Sequence, residues 1–301
     1  MIRAKAFAKI NLDLRILGRR DDGYHELRTL MQTVSLHDTL TFSRSRRPGI
    51  VLRCRGAAGM SGGPDNLVYR AAQAVLRRCP GGAGVSITLE KRIPIGAGLG
   101  GGSSDCARTL AALNHLFGLR LGAAALAQMA GELGSDVPFF LHGGLGIAYG
   151  RGEKTMPLPS ARRTSVLIAA PRLHLATADV YRWYARSGRR RTGPPRPGRP
   201  DHLPYLCKIL GAYRDCDWSR FRNDLEGPVF ERHPELARIK HLLLDSAATH
   251  AQMTGSGSAV FGLFEHRPAL KAAARRLREL GCRCHPARFV SRRECGVLAR
   301  R

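Results

Sequence analysis

Residues 94–105, Pro-Ile-Gly-Ala-Gly-Leu-Gly-Gly-Gly-Ser-Ser-Asp, place five glycines within seven positions and end with two hydroxyl residues and an acid. Glycine loses more conformational freedom on folding than any other residue, so this concentration is costly unless the backbone geometry requires it. Residues 85–89 alternate apolar and polar, as a half-buried strand does, and apolar residues at 106, 110, 113 and 117 recur at helical spacing. The stretch therefore predicts a strand, a glycine loop and a helix in direct succession.

This succession favours phosphate binding. A glycine backbone can adopt positive φ and approach a ligand closely, and a helix N-terminus offers unpaired N–H groups and the positive end of a dipole. Ser103 or Ser104 is predicted to cap the helix or to bond a phosphate oxygen. The loop lacks the Gly-Lys-Ser/Thr ending of a Walker A loop. It matches the dinucleotide pattern from Gly96 to Gly101, but no acidic residue follows about 20 positions later to hold a ribose, which weakens an oxidoreductase hypothesis.

The chain is long enough for two domains that share a cleft, and its charge is extreme. It has 301 residues, with 49 Lys and Arg against 23 Asp and Glu, for a formal net charge of +26. This balance favours anionic partners such as nucleotides, nucleic acid or acidic membranes. An RNA-binding protein is therefore an alternative, suggested also by the basic run at residues 189–191. No aromatic residues interleave that run, however, and no zinc or helix-turn-helix motif accompanies it.

The eight cysteines contain no Cys-x-x-Cys pair and no zinc-finger spacing, so we expect them to be reduced. The first 20 residues lack the apolar core of a signal peptide, and no uncharged apolar run approaches the ~20 residues of a membrane span. The sequence thus predicts a cytoplasmic protein without membrane partners, and leaves open whether it is a monomer or a homodimer.

Two polar patterns near the N-terminus are candidates for a site. Residues 9–17 alternate apolar and polar, which places Lys9 and Asn11 on one face of a strand, either in a site or on a solvent-facing surface. Tyr24 and His25 follow a predicted turn at residues 18–23. An adjacent aromatic ring and imidazole suit a stacking platform with a hydrogen-bonding partner, although an ordinary strand start would have the same sequence.

Further along the chain, Ser135 is a natural N-cap and would place Asp136 in the first turn of a helix. There the dipole favours an ionised carboxylate, either as a helix-stabilising acid or beside a phosphate site. Residues 44–64 are predicted to form a hairpin and a surface loop, and residues 151–163 a linker. Residues 187–204, rich in Gly, Pro and Arg, are predicted to be mobile.

Six separated motifs occur in one order along residues 8–264. They are Ala8-Lys9-Ile10-Asn11-Leu12, Gly23-Tyr24-His25-Glu26-Leu27, Pro64-Asp65-Asn66-Leu67, the glycine loop, the stretch from Leu133 to Phe140, and Met253-Thr254-Gly255-Ser256-Gly257-Ser258. No single motif is specific, but the combination resembles the GHMP small-molecule kinases, and within them the branch that acts on a cytidyl substrate. The sequence departs from the family pattern most at residues 187–200, which are unusually basic.

The resemblance implies an α+β fold of two domains with the active site in the cleft between them. Residues 1–155 would form a ribosomal-S5-like N-terminal ATP-binding domain, and residues 156–301 a ferredoxin-like C-terminal domain. It implies ATP-dependent phosphorylation of the 2-hydroxyl of a methylerythritol unit carried on a cytidyl diphosphate, with another small-molecule substrate of the same family as the alternative. Mg²⁺ would travel with ATP, held mainly by phosphate and water.

The resemblance also implies roles for individual residues. Lys9 and Asp136 would be the catalytic pair. The ATP-binding residues would be Asn66 and the loop residues Pro94, Ile95, Gly96, Ala97, Gly98, Leu99, Gly100, Gly101, Gly102, Ser103 and Ser104. The substrate contacts would be Asn11, Tyr24, His25 and Tyr181, with Tyr24 and Tyr181 stacking on the cytosine. No protein ligand is assigned to Mg²⁺, for which Ser104 is a candidate.

Overall fold

The fold is described from a computed structural model over residues 1–57, 59–79, 81–159, 163–188, 202–296 and 298–300. The basic run at residues 189–191, and most of the stretch predicted to be mobile, lie outside the described residues.

The strands of the described chain form two sheets, in which most neighbouring strands run antiparallel. The strands are β1 (Ile2–Arg19), β2 (His25–Ser45), β3 (Gly49–Arg55), β4 (Gly84–Glu90), β5 (Leu145–Gly150), β6 (Lys154–Leu158), β7 (Ser165–Ala170), β8 (His250–Met253), β9 (Val260–Phe264), β10 (Arg283–Arg288) and β11 (Leu298–Arg300).

The helices of the described chain pack on the sheets or on one another. They are α1 (Leu67–Leu76), α2 (Gly101–Phe117), α3 (Ala123–Leu133), α4 (Val137–His142), α5 (Thr177–Arg186), α6 (His202–Asp215), α7 (Glu226–Arg232), α8 (Pro234–Asp245), α9 (Arg267–Glu279) and α10 (Arg292–Cys295), with a 3₁₀ turn at Trp218–Arg220. No helix in the described ranges is both long enough and apolar enough to cross a membrane.

The first sheet has the order β11-β1-β2-β4-β3, and β5 and β6 extend it from the N-terminal half of β2. β1 and β2 form a long antiparallel ribbon in which Lys9 pairs with Thr33 and Asn11 with Met31, and a register shift follows Asn11. β4 pairs with β2 on one side and, in parallel, with β3 on the other. β4 therefore delivers the following glycine loop from the interior of the sheet.

The second sheet has the order β10-β7-β9-β8, with every pair antiparallel, and α8 and α9 cover one face. The two sheets meet through a shared apolar core in which Ile10 and Leu12 of β1 pack with Val166 and Phe261. Lys9 and Asn11 lie on the other face of β1 and line a cleft between the two halves. Lys9 and Asn11 are each only 3% exposed, so the solvent-facing alternative is wrong.

The predicted strand, glycine loop and helix are confirmed as β4, residues 91–100 and α2, with Cys106, Leu110 and Leu113 fully buried. Two other predictions were wrong. Residues 44–64 are not a hairpin, because β3 pairs with β4 rather than with β2, and part of the predicted linker is β6. Both β3 and β6 alternate between exposed and half-buried positions, so neither has the strong apolar pattern of a central strand.

Candidate active site

A cleft of about 1530 Å³ lies between the two halves of the chain and contains nearly all the predicted site residues. The glycine loop lines one side, β1 and the start of β2 form the floor, and α5 with Gly255 and Ser256 closes the side from the second half. Of the predicted residues only Ser104 does not line it, because that side chain is 3% exposed within α2. Residues from 9 to 256 thus meet around one space.

Three glycines of the loop have conformations that L side chains rarely adopt. Gly96, Gly98 and Gly100 have φ of 66°, 75° and 69°. Gly100 is also the N-cap of α2, and no side chain among the described residues caps the helix. Of the two roles predicted for Ser103 or Ser104, capping is therefore wrong, and a bond to a phosphate oxygen stays a prediction. The first backbone N–H groups of α2 therefore open into the cleft without an intrahelical acceptor. This is the geometry that binds a phosphate.

Contacts from both halves hold the loop in place. The backbone N–H of Lys9 donates to the carbonyl of Leu99 at 3.0 Å, and that of Ala259 donates to the carbonyl of Ala97 at 3.2 Å. A Cβ atom at Gly98 would lie 2.1 Å from the carbonyl oxygen of Thr254. The loop is thus clamped between β1 and the glycine-serine turn that precedes β9, and the clamp needs glycine at position 98.

Lys9 and Asp136 face each other across the cleft. Lys9 Nζ lies 3.7 Å from Asp136 Oδ2, and it donates to Asn11 Oδ1 at 2.5 Å. The Lys9 side chain is 4% exposed, whereas that of Asp136 is 40% exposed and so can be reached by an acceptor molecule. Burial lowers the pKa of Lys9 below its ordinary value, and the Asp136 carboxylate partly opposes that shift.

Asp136 lies at the N-cap position of α4, one residue earlier than predicted, and its side chain makes no capping hydrogen bond. The carboxylate therefore makes no capping bond to the described chain and is turned toward Lys9. Of the two interpretations that the sequence left open, the position of Asp136 in the cleft favours a carboxylate beside a phosphate site.

Asn11 is held by a buried polar network. Its side-chain amide donates to Thr29 Oγ1 at 2.8 Å, and its backbone N–H donates to Thr254 Oγ1 at 3.0 Å. Thr254, fully buried, also lies 3.3 Å from the carbonyl oxygen of Gly98. One hydroxyl from the second half therefore links the strand that carries Lys9 to the loop.

Aromatic rings gather at the far end of the cleft. The His25 and Tyr181 rings lie 5.2 Å apart and are tilted by 30°, and Arg151 lies 5.0 Å from the centre of the Tyr24 ring. Tyr24 is 57% exposed, so most of its ring remains open to a ligand. Burial lowers the pKa of His25, assisted by Arg19, and so favours the neutral imidazole, which can donate through one nitrogen and accept through the other. Burial, with the charge of Asp136, raises the pKa of Tyr181 and keeps its phenol neutral.

Asn66 lines the cleft and has a local structural role as well. It is the N-cap of α1, where its side-chain oxygen accepts from the backbone N–H of Val68 at 2.9 Å and its amide donates to the carbonyl of Ser61 at 2.8 Å. These bonds satisfy much of the side chain, so its presence in the cleft is explained in part by capping.

The sequence did not single out two residues that shape the site. Thr254 lies in a glycine-serine stretch that was noted as a motif, so a local signal existed, but its contact with Gly98 spans 156 positions. His174 packs against Gly96, where a Cβ atom would lie 2.3 Å from His174 Nδ1. No local pattern marks His174, because it lies in an irregular segment before α5.

Comparisons with known proteins identify the family. Residues 66–144 match the model of the GHMP kinases N terminal domain, and residues 213–281 match that of the GHMP kinases C terminal domain. The 4-diphosphocytidyl-2-C-methyl-D-erythritol kinase of Solibacter usitatus (strain Ellin6076) is 42% identical over 280 residues, which is 91% of this chain and 85% of the relative. The enzyme of the same name from Moorella thermoacetica is 42% identical over 287 residues, 95% of this chain and 97% of the relative.

The chain belongs to the GHMP kinase family.

Two solved kinase structures have the same fold. A crystal structure of 4-(cytidine 5'-diphospho)-2C-methyl-D-erythritol kinase superposes with a TM-score of 0.77 at 37% identity and covers 95% of this chain and 98% of the other. A homoserine kinase from Cytophaga hutchinsonii superposes with a TM-score of 0.71 at 19% identity, which shows the fold alone. The expected two-part α+β architecture of a GHMP kinase is confirmed. A domain boundary at residues 155 and 156 stays a prediction.

Proposed function

We propose that this GHMP kinase transfers the γ-phosphoryl group of ATP to the 2-hydroxyl of 4-diphosphocytidyl-2-C-methyl-D-erythritol, giving the 2-phosphate and ADP. The reaction belongs to the non-mevalonate pathway of isoprenoid precursor biosynthesis. The observation that carries the proposal is the convergence of Lys9, Asp136 and the open amides of the glycine loop in one cleft. Relatives at 42% identity over nearly the whole chain support the choice of substrate.

The loop end of the cleft suits the ATP phosphates. Phosphoryl transfer depends on positioning and on stabilising the charge of the moving group more than on covalent catalysis. Backbone N–H groups at the start of α2 are already oriented by the loop, so binding a phosphate there costs little reorganisation. Asn66 and Leu67 line the adjoining part of the cleft, where the nucleoside would lie.

Asp136 is placed to act on the acceptor. Its exposed carboxylate would orient the 2-hydroxyl and accept the proton as the oxygen attacks phosphorus. Lys9, 3.7 Å from the carboxylate, would offset negative charge on the phosphoryl group as it is transferred. Asn11 holds the Lys9 ammonium in position from the side of β1.

Mg²⁺ would enter with ATP. Within the described residues no cluster of three His, Cys, Asp or Glu side chains could hold a metal ion, so phosphate oxygens and water would supply most of its ligands. Ser103 lines the cleft and Ser104 does not, which makes the Ser103 hydroxyl the better placed of the two for a contact in this region. The metal would neutralise charge on the transferred phosphate.

The opposite end of the cleft suits a cytidyl diphosphate. Tyr24 and Tyr181 offer stacking surfaces, and neutral His25 offers a donor and an acceptor to a base edge. Arg19, Arg151, Arg182 and Arg186 line the same end, and arginine is well suited to phosphate. These four arginines and the aromatic rings together fit an anionic nucleotide better than an uncharged acceptor.

A coupled assay tests the proposal directly. Purified protein with ATP, Mg²⁺ and the cytidyl substrate should release ADP, and a panel of acceptors of other GHMP kinases should not. Turnover of another acceptor from that panel, without turnover of the cytidyl substrate, would refute the substrate assignment.

We also propose a reducing, cytoplasmic location, in agreement with the absence of any disulfide among the eight cysteines, all of which lie in described ranges. Gel filtration would decide between monomer and homodimer.

A further inference from the structure

A buried ion cluster lies beneath the glycine loop and is not used by the chemistry proposed above. It joins Asp38 of β2, Lys91 immediately after β4, and Asp105 in α2. Lys91 Nζ donates to Asp38 Oδ2 at 2.5 Å and to Asp105 Oδ2 at 2.8 Å. The three residues are 0%, 8% and 2% exposed, so little of the cluster meets solvent, and Lys91 and Asp105, unlike Asp38, line the cleft.

Fold stability alone does not account for such a cluster. Moving charges out of water is costly, and an apolar group of the same volume often stabilises a fold at least as well. Burial raises the pKa of Asp105 to about 8, against the opposing effect of Lys91, so this carboxyl takes up a proton more readily than an ordinary aspartate. Lys91 Nζ lies closer to Asp38 than to Asp105, and Asp38 alone of the two also binds the loop entry.

The cluster joins the entry of the loop to its exit. Asp38 Oδ1 accepts from the backbone N–H groups of Arg92 at 2.5 Å and Ile93 at 2.9 Å, directly before the loop begins at Pro94. Its other oxygen binds Lys91, which reaches Asp105 within the first turns of α2. A Cβ atom on Gly101 would lie 3.3 Å from Lys91 Nζ, so the start of the helix rests on this ammonium.

We propose that Asp38 is a positioning residue for the nucleotide: by binding the loop entry directly and the loop exit through Lys91, it sets the direction of the amides that hold the ATP phosphates. Asp38 does not line the cleft and so acts only through these neighbours. The identity of the nucleotide rests on the proposed function. A fixed span between the loop ends matters because small displacements of positioning groups reduce phosphoryl transfer strongly.

Two variants of Asp38 test this role. Asp38→Asn retains an oxygen for the Arg92 and Ile93 amides but loses the charge opposite Lys91, and Asp38→Ala loses both. We expect the Kd for ATP with Mg²⁺, measured by calorimetry, to rise ~10-fold in the Asn variant and further in the Ala variant. The KM for the cytidyl substrate should stay within about twofold of wild type, because Asp38 and Lys91 bond to each other, to Asp105 and to the loop entry, and not to Tyr24, His25 or Tyr181.

Asp13→Asn and Asp13→Ala are matched controls. Asp13 is also fully buried, its Oδ1 accepts a backbone N–H from Arg222 at 2.9 Å, and it pairs with Arg15 at 2.8 Å, but it does not line the cleft. These variants should lose stability without a change in the Kd for ATP.

An unchanged Kd in Asp38→Asn, or an equal rise in Asp13→Asn, would overturn the positioning role. Should Asp38→Ala fail to fold, the nearly isosteric Asn variant decides. Calorimetry with ATP needs no acceptor, so wild-type protein that binds ATP but ignores the cytidyl substrate would count against the proposed function only.

Discussion

Gly98→Ala is the most direct perturbation of the clamped loop. Gly98 has a φ of 75°, and a Cβ atom there would lie 2.1 Å from the carbonyl oxygen of Thr254 and 3.1 Å from that of Gly257. Both obstacles are backbone atoms, which cannot rotate away as a side chain does. The new methyl group can be accommodated only if the loop and the turn at residues 254–257 separate by about 1 Å.

The expected cost follows from two effects. A non-glycine residue at this positive φ costs ~1–3 kcal/mol, and forcing a methyl group into a closely packed interface costs a further ~1–3 kcal/mol. The free energy of unfolding should therefore fall by ~2–6 kcal/mol, a large part of the ~5–15 kcal/mol that a typical domain has. Separation would also weaken the bonds from Thr254 to Gly98 and from Ala259 to Ala97, which hold the loop in its binding geometry.

Urea unfolding of the nucleotide-free protein and calorimetry with ATP measure the two consequences. Gly102→Ala is the matched control: the nearest heavy atom to its Cβ would be Leu67 Cδ1 at 3.6 Å, and the residue lies in the first turn of α2. Alanine is favoured over glycine within a helix by ~0.5–1 kcal/mol, so this control should be as stable as wild type or more so. If Gly98→Ala unfolded at the same urea concentration as wild type and bound ATP equally well, the reasoning about the clamp would be refuted.

Three further predictions concern catalysis and pH. Asp136→Asn should lower kcat by ~10²–10⁴-fold with little change in the Kd for ATP, because proton acceptance is lost while the loop is intact; steady-state kinetics that retain near-full kcat would remove Asp136 as the base. Burial lowers the pKa of Lys9, so kcat should decline on the alkaline side at a pH below that of an ordinary lysine, as the ammonium deprotonates; a pH–rate profile that stays flat through that range would argue against a charged Lys9 in the reaction. Burial among aromatic rings, assisted by the charge of Lys240, lowers the pKa of His250 from 6.5 to about 4. As the pH falls from 6.5 toward 4, the imidazole is protonated in the unfolded chain before it is protonated in the folded one. The free energy of unfolding should therefore decrease over this range, by up to ~3 kcal/mol. Urea unfolding at pH 7 and pH 4.5 should show a smaller loss for His250→Phe than for wild type, and equal losses would contradict the assignment.

The local sequence pattern was sufficient to predict the strand, the glycine loop and the helix at the centre of the site. The glycine spacing, the alternation before it and the helical spacing after it all lie within about 35 residues, and β4, the loop and α2 follow them. The alternation of residues 9–17 also placed Lys9 and Asn11 on one face correctly. It could not show that this face is buried, because a polar strand face looks the same whether water or a second domain covers it.

The predictions from the sequence failed mainly at the edge strands. β3 and β6 lie at sheet edges, expose alternate positions, and contain turn-forming or charged residues within or beside them, including Pro157. Proline is tolerated at an edge because one N–H there needs no partner in the ladder. Their pairing is decided by the strands that lie beside them, which the local sequence does not reveal.

By itself, the amino-acid sequence determined where the chain would bend on glycine, which faces of its strands and helices would be apolar, and which motifs could bind a phosphate. Only the tertiary structure decided that Lys9 meets Asp136, that Thr254 holds Gly98, and that Asp38 joins the two ends of the loop through Lys91. The physical reason is the distance along the chain over which each effect acts. Backbone preferences and periodicity act over one turn or one strand, whereas these contacts join residues 53 to 156 positions apart, and the contact between Thr254 and Gly98 also requires the two sheets to share a core.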